Sequence, residues 1–123
     1  METTKEGNMI RATVIGLSGK KYSFMGFDVS TYPDNEVISF KNSMTVYIFF
    51  KDINNEKPTL LDVGYRDGFF DVPFKDFRKF EFIKQNNVTH FIYYTVDVDE
   101  KPEKIRWDII DGNTFDNSTF RKG

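Results

Sequence analysis

The segment from Val88 to Val98 most constrains how this chain folds. It contains neither glycine nor proline and consists largely of β-branched and aromatic residues, which is typical of a β-strand. Successive side chains of a strand point to opposite faces, and here both sets of alternating positions include apolar or aromatic groups. We therefore predict a central strand. At about 3.4 Å per residue it would extend about 37 Å, which favours a curled sheet or a barrel in a chain of this size.

Shorter segments with strand-like alternation occur through most of the chain. Met9–Leu17 and Lys21–Val29 flank a short glycine-containing connection, and this spacing predicts a hairpin. The other predicted strands are Val37–Phe40, Met44–Lys51, Thr59–Tyr65 and Lys104–Ile110. Met44–Lys51 has apolar groups on both faces and is predicted to be a second central strand. Composition also predicts a break at 41–43 and a turn at Arg66-Asp67-Gly68.

One short helix is predicted near residues 73–79. Pro73 suits the first turn of a helix. Phe74, Phe77 and Phe80 then recur every three residues, as on one face of a helix. From Phe80 the apolar residues alternate instead, which predicts that the segment ends as a strand.

These elements together predict a mainly β protein with a small curled antiparallel or mixed sheet, or a β-barrel. The 123 residues are expected to form a single domain, since domains commonly contain about 100–150 residues. Residues 1–8 and about 113–123 are expected to be loosely ordered. The predicted buried core consists of Ile48, Phe50, Phe91, Ile92, Tyr94, Val96 and Trp107.

The composition excludes several classes of protein. Because the chain has no cysteine, it cannot contain a disulfide framework, a zinc–thiolate site or a cysteine nucleophile. The polar N-terminal segment lacks the apolar stretch of a secretory signal, and no apolar run approaches the roughly 18 residues of a membrane span. We therefore expect a cytoplasmic protein without a membrane partner, and no motif predicts a cofactor.

His90 is the only histidine in the chain, and it alternates with Ile92 and Tyr94 on the predicted central strand. A catalytic histidine needs an orienting carboxylate and a nucleophile or substrate nearby. The alternation places Thr89 on the opposite face, and no motif surrounds the histidine. We interpret His90 as structural and predict neither catalysis nor a metal site, since one histidine with scattered carboxylates lacks ligand spacing.

Cationic and aromatic residues are interleaved in two regions, as in proteins that bind single-stranded nucleic acid. The candidate RNA-binding residues are Lys20, Lys21, Tyr22, Arg66, Lys75, Arg78 and Lys79, with Tyr22 as a stacking side chain. The alternative is that Lys20 and Lys21 belong to a solvated turn, and that the phenylalanines between 74 and 82 are the buried face of a helix. The net charge of −2 argues weakly against a polyanion partner.

An acidic segment offers a second hypothesis of a different class. Residues 97–111 contain six acidic residues against three basic ones, and Asp97–Glu103 resembles the tip of a charged hairpin. Such a tip would suit a protein-interaction module, for example an inhibitor or immunity-type protein that binds a basic partner. The oligomeric state does not follow from the sequence.

The size, the strand-rich layout and the opening Ile-Arg-Ala-Thr-Val-Ile-Gly-Leu-Ser-Gly-Lys-Lys-Tyr-Ser-Phe (residues 10–24) resemble the small PrgU-type proteins of enterococcal conjugative plasmids. This resemblance covers most of the chain. It implies a PUA-like β-barrel that binds RNA and limits production of a cell-surface adhesin. It carries over no site residues, so the candidates above rest on charge and aromatic pattern alone.

Overall fold

The computed structural model describes residues 2–7, 9–29, 31, 33, 37–51, 59–77 and 79–113. Side chains of residue 2, of 37–43 and of 67–75 lie outside this description. The described part of the chain forms six strands and three helices. They are β1 Glu2–Glu6, β2 Met9–Ile15, β3 Lys21–Asp28, β4 Val37–Lys51, β5 Thr59–Pro73, α1 Phe74–Phe77, α2 Glu81–Asn86, β6 His90–Thr95 and α3 Pro102–Gly112.

The strands form one sheet in the order β1-β2-β3-β6-β4-β5. All five pairings are antiparallel, and the described residues leave β1 and β5 as edges, so the sheet is not closed. The mainly β class predicted from the sequence is confirmed. The predicted hairpin of β2 and β3 is also confirmed.

The two predicted central strands lie inside the sheet. β6 pairs with β3 on one side and β4 on the other, and β4 lies between β6 and β5. The regular strand β6 is shorter than the Val88–Val98 segment, but its side chains are buried in both directions. Ile92 is 0% exposed on one face and Phe91 is 4% exposed on the other.

We call the two sides of the sheet face A and face B. Face A is defined by Val14, Phe24, Val46, Ile48 and Ile92, and α3 packs on it through Ile105, Ile109 and Ile110. Face B is defined by Phe27, Leu61 and Phe91, with Tyr47 and Phe49 packed beside them, and it is covered by Phe77 of α1 and Ile83 of α2.

The prediction of a strand at Lys104–Ile110 is wrong, because these residues belong to α3. The alternation of Ile105, Trp107 and Ile109 suggested a strand. In the helix, Ile105 and Ile109 share a face at a spacing of four, and both are buried while Trp107 is only partly buried. Pro102 occupies the first turn, where its missing N–H costs nothing. The predicted acidic hairpin tip is therefore the turn that enters a helix.

Two segments predicted to interrupt strands lie within the long strands β4 and β5. The break at 41–43 is an irregularity in the register of β4, between Phe40 and Ser43, as expected of a β-bulge. The turn at Arg66-Asp67-Gly68 is wrong, because β5 continues through it while paired with Ser43, Met44 and Thr45. Cross-strand pairing overrides the turn composition at this point.

The helical region is more extensive than predicted. The short helix near 73–79 is present as α1, but the strand expected after Phe80 is wrong, since α2 occupies Glu81–Asn86. Asn87 ends α2 in the left-handed conformation at φ 53°, which asparagine tolerates better than most residues. At the N-terminus, Glu2–Glu6 form β1 against β2, and residues 114–123 lie outside the described part.

Four of the predicted core residues are buried. Ile48 and Ile92 are 0% exposed, Phe50 is 1% exposed and Phe91 is 4% exposed. Tyr94, Val96 and Trp107 are partly buried and pack against the face A core. The predicted core is thus confirmed at the central strands, and it is less complete near the sheet end where α3 begins.

Truncating a face A residue of β6 should test this burial directly. Ile92→Ala should cost about 2–5 kcal/mol of stability, because it opens a cavity in the centre of the sheet. Ile15→Ala is the matched control, since Ile15 is 46% exposed at the end of β2, and it should cost less than about 1 kcal/mol. Denaturant unfolding measures both, and equal losses would contradict the packing described.

Candidate functional site

A concavity lies on face B, where α1 and α2 leave part of the sheet uncovered. Its volume is about 310 Å³, at the small end of the range for ligand pockets. Strands β4, β5 and β6 supply its floor, and the segment from α1 to α2 supplies its wall. The lining residues are Thr45, Tyr47, Phe49, Asp62, Arg66, Phe77, Phe80, Phe82 and Phe91.

Aromatic rings dominate this lining. Phe49 and Phe91 lie with ring centroids 5.0 Å apart, and Phe77 meets Phe91 edge to face at 5.1 Å. Phe77 is 1% exposed, whereas Phe80 is 39% exposed. The sequence allowed these phenylalanines to be either core residues or a binding surface. Phe77 is a core residue, and Phe80 exposes part of its ring to solvent.

Gly64 allows Tyr47 to lie across the middle of the pocket floor. The two residues are partners in the β4–β5 ladder, and a Cβ at Gly64 would lie 2.5 Å from the Tyr47 hydroxyl oxygen. Burial raises the pKa of Tyr47, and Asp62 raises it further, while Arg66 and Arg106 act in the opposite direction. Tyr47 is therefore a neutral hydroxyl near neutral pH, available as a donor or an acceptor.

Thr45 provides the unusual polar feature of the pocket. Its side chain is 3% exposed, and its Oγ1 has no hydrogen-bond partner among the described residues. A buried polar atom without a partner costs about 1–3 kcal/mol. In the sheet, Thr45 pairs with Arg66 of β5 and Thr95 of β6. Such a position is stabilised when a ligand supplies the missing hydrogen bond.

The isosteric substitution Thr45→Val should stabilise the free protein. It replaces an unpartnered hydroxyl by a methyl group in a buried strand position, and we expect a gain of about 1 kcal/mol. Thr45→Ser is the matched variant that keeps the hydroxyl, and it should not stabilise. Thermal and denaturant unfolding measure the difference, and a clear loss of stability in Thr45→Val would show that Oγ1 already has a partner.

The structure distributes the candidate RNA-binding cations over different surfaces. Arg66 is exposed and lines the pocket on face B, and Lys79 is exposed beside Phe80. Lys75 belongs to α1, but its side chain, like the whole of Arg78, lies outside the described residues. Among the described candidates, Arg66 is thus the cation that lines the pocket, and Lys79 is the exposed neighbour of Phe80 in the sequence.

Lys20 lies on the other side of the sheet, in contact with the turn that precedes α3. Its Nζ donates to Glu100 Oε2 at 2.8 Å and lies 5.2 Å from the Tyr22 ring centroid. Residues 17–20, which form the tip of the β2–β3 hairpin, are solvent-exposed as predicted, and Lys21 is exposed at the start of β3. Tyr22 is 4% exposed, so its ring is part of the face A core and not a stacking surface in this structure.

A polar network fastens the β2–β3 tip to α3. Asp108 accepts hydrogen bonds from the Tyr22 hydroxyl at 2.8 Å, and from the Ser18 N–H at 2.8 Å and hydroxyl at 2.7 Å. Glu100 accepts from Lys20, from the Tyr94 hydroxyl at 2.8 Å and from the Asp97 N–H at 2.9 Å. We call these residues the α3 network.

The α3 network shifts the ionisation of its members. Burial alone would raise the pKa of Asp108, but the hydrogen bonds from Ser18 and Tyr22 outweigh it and lower the pKa. Glu100 behaves alike, since donation from Lys20, Asp97 and Tyr94 overcomes the effect of burial and lowers its pKa. Burial and the Glu100 hydrogen bond raise the pKa of Tyr94 to about 12. Both carboxylates are therefore charged, and the Tyr94 phenol is neutral, at pH 7.

Stability should fall in acid as the α3 network is protonated. A carboxyl group whose pKa is lowered by folding contributes its full stability above its ordinary value, here 4.5 for Glu100 and 3.8 for Asp108, and loses it as pH falls through the lowered value. Asp108→Asn should lower the melting temperature at pH 7 and flatten its decline below pH 4. Asp111→Asn, an exposed change on the same helix, is the control and should leave the curve unchanged. An equally steep curve in Asp108→Asn would contradict the network's role.

His90 is more closely surrounded than its sequence context predicted. Its Nδ1 lies 2.7 Å from Thr89 Oγ1, so the expectation that Thr89 faces away is wrong. Its Nε2 lies 3.9 Å from Asp28 Oδ2, because Asp28 is its partner on β3. The ring stacks on Phe50 with centroids 4.7 Å apart. These contacts hold the imidazole between strands, and its lack of a catalytic role stays a prediction.

The described part of the chain contains no group of three or more histidine, aspartate or glutamate side chains placed to hold a metal ion. None of its helices combines the length and apolar character needed to cross a bilayer.

Comparisons with known proteins do not identify the chain. No family model, curated protein or solved structure matches it. The resemblance to PrgU-type proteins therefore stays an expectation.

The sequence did not indicate the pocket or its polar groups Thr45 and Asp62. A signal was present, since Thr45 alternates with Tyr47 and Phe49 on the second face of an apolar strand. Asp62 and Arg66 likewise share one face of Thr59–Tyr65 and its continuation. Without the pairing of β4 with β5, nothing in the sequence brings these two sets together.

Proposed function

We propose that this protein is a non-enzymatic RNA-binding protein that holds single-stranded RNA on face B. The observation that carries the proposal is the pocket itself, in which six aromatic side chains of the described residues lie beside the exposed cation Arg66. Bases stack on aromatic rings while cations contact the phosphates in proteins that bind single strands.

The distribution of charge supports face B over the β2–β3 tip. Lys20 at that tip is paired with Glu100 and lies away from the pocket. Arg66 lines the pocket on face B, and Lys79 is the exposed sequence neighbour of Phe80. Binding that depends on a local aromatic and cationic surface is compatible with a net charge of −2. The PrgU-type resemblance extends the proposal to a regulator that limits expression of a surface adhesin on a mobile element.

Neutralising single cations should separate the two faces. Arg66→Gln should weaken binding of a fluorescent single-stranded oligoribonucleotide about tenfold, since it removes a charge-assisted contact. It should also reduce the slope of log affinity against log salt by about 0.7, the value for one phosphate contact on a single strand. Lys104→Gln on α3 is the matched control and should leave both quantities unchanged.

This titration tests both whether the protein binds RNA and whether the RNA lies at the pocket face. Equal losses from Arg66→Gln and Lys104→Gln would mean that RNA is held by general charge and not by the pocket face. Absence of binding at low salt would remove the RNA proposal.

A second candidate function rests on the turn before α3. Asp97 and Asp99 are exposed, and Val98 between them is fully exposed, so this turn presents an apolar group flanked by two acids. It would suit a basic protein partner. This candidate predicts that Asp97→Asn with Asp99→Asn abolishes partner binding and that Arg66→Gln is silent, the reverse of the RNA ranking.

A further inference from the structure

The polar groups of the pocket are arranged in order along β5. Arg66, Gly64 and Asp62 alternate on face B, and their partners on β4 are Thr45, Tyr47 and Phe49 in the same order. A planar ligand lying over the middle pair, Tyr47 and Gly64, would have the Arg66 guanidinium and the Thr45 hydroxyl at one end. It would have the Asp62 carboxylate at the other end, so hydrogen-bond donors and an acceptor lie at opposite ends of the pocket.

The walls and the size of the pocket limit what can occupy it. A volume of about 310 Å³ suits one small planar ring system and leaves no room for a large cofactor. The surrounding phenylalanines approach each other at varied angles, with Phe49 tilted by 51° from Phe91 and Phe77 turned by 71° from it. Such an enclosure provides both ring faces and ring edges for a flat ligand.

From this arrangement, we propose that the pocket is a binding site for a guanine base. Guanine presents the acceptors O6 and N7 on one side, which suit the Thr45 hydroxyl and one N–H of Arg66. The guanidinium has five N–H donors, so others can contact a phosphate of the same nucleotide. It presents the N1–H and the 2-amino group on another, and both can donate to one carboxylate such as Asp62. Adenine lacks this pair of adjacent donors, and uracil has a single N–H between two carbonyls.

The unpartnered hydroxyl of Thr45 is the second observation that points to a ligand. Thr45 is held beside Arg66 by the β4–β5 ladder, at the acceptor end of the bound base. Thr45 is one of the residues that line the pocket, and its side chain has alternative staggered χ1 rotamers through which Oγ1 can be reoriented. The ligand then supplies the hydrogen bond that the free protein lacks. Thr45 would be a specificity-determining residue, with no chemical role.

This inference rests on the proposed function for its biological source, because the base can belong to an RNA strand or to a free nucleotide. The first arm of the test titrates guanosine, inosine and adenosine monophosphates into the intact protein by calorimetry. Guanosine monophosphate should bind at least about fivefold tighter than inosine monophosphate, which lacks only the 2-amino group. Adenosine monophosphate should bind more weakly still.

The second arm uses three variants. Thr45→Val should weaken guanosine monophosphate binding about three- to tenfold while the protein remains folded, and Thr45→Ser should retain binding. Asp62→Asn should remove the preference for guanosine over inosine monophosphate. Equal affinity for all three nucleotides, or a guanosine preference that survives Asp62→Asn, would overturn the proposal. Undiminished binding by Thr45→Val would overturn the assignment of Thr45.

The third arm separates the two sources of the base. A guanine-containing oligoribonucleotide and an all-uridine one of equal length are titrated under the same conditions. If both bind equally, the RNA function stands and the guanine site is overturned. If guanosine monophosphate shows the expected dependence on Thr45 and Asp62 and neither oligonucleotide binds more tightly than it, the guanine site stands and the RNA function fails.

Discussion

Burial of both faces of the central strand β6 is the constraint on which the rest of this structure depends. Ile92 is completely buried on face A, and Phe91 is 4% exposed on face B. A strand with apolar groups on both sides is stable only when each face of its sheet is covered. α3, with 11 residues, covers face A. On face B the cover comes from α1 and α2, with 4 and 6 residues, and the pocket is the part of the sheet that they leave open.

The two faces are consequently used in different ways. On face A, the α3 network joins the β2–β3 tip, the end of β6 and α3. Its exposed and partly buried hydrogen bonds are made to charged carboxylates, and such bonds are stronger than neutral ones. The contacts of this network, which include those of Lys20, Tyr22 and Glu100, stabilise the fold. On face B, Arg66 and Phe80 remain exposed, and Thr45 keeps an unpartnered hydroxyl. The features suited to a ligand therefore lie on the face with the less complete cover.

The sequence predicts those parts of the fold that depend on local pattern. β2, β3 and the central part of β4 alternate clearly, and the glycine-containing tip marks their hairpin. It does not predict elements determined by partners distant in sequence. Residues 66–68 have turn composition and become strand because β4 pairs with them. The short segment with Ile105, Trp107 and Ile109 is compatible with both strand and helix periodicity. Packing of Ile105 and Ile109 against face A favours the helix. The pocket depends on the β4–β5 register and on the cover by α1 and α2. Local charge therefore predicts Arg66 as a candidate, while no local pattern predicts Thr45 and Asp62.

The most direct test of the central claim, that face B is the binding face, is a ¹H–¹⁵N NMR titration of the intact protein with a guanine-containing single-stranded oligoribonucleotide. Backbone amides report where a ligand contacts the sheet without any substitution. If face B binds the RNA, we expect the largest amide shifts around the pocket, at Thr45, Gly64, Arg66 and Phe91. The amides of the α3 network, at Ser18, Lys20 and Asp108, should change little. Shifts centred on the α3 network, with the pocket amides unmoved, would contradict this claim.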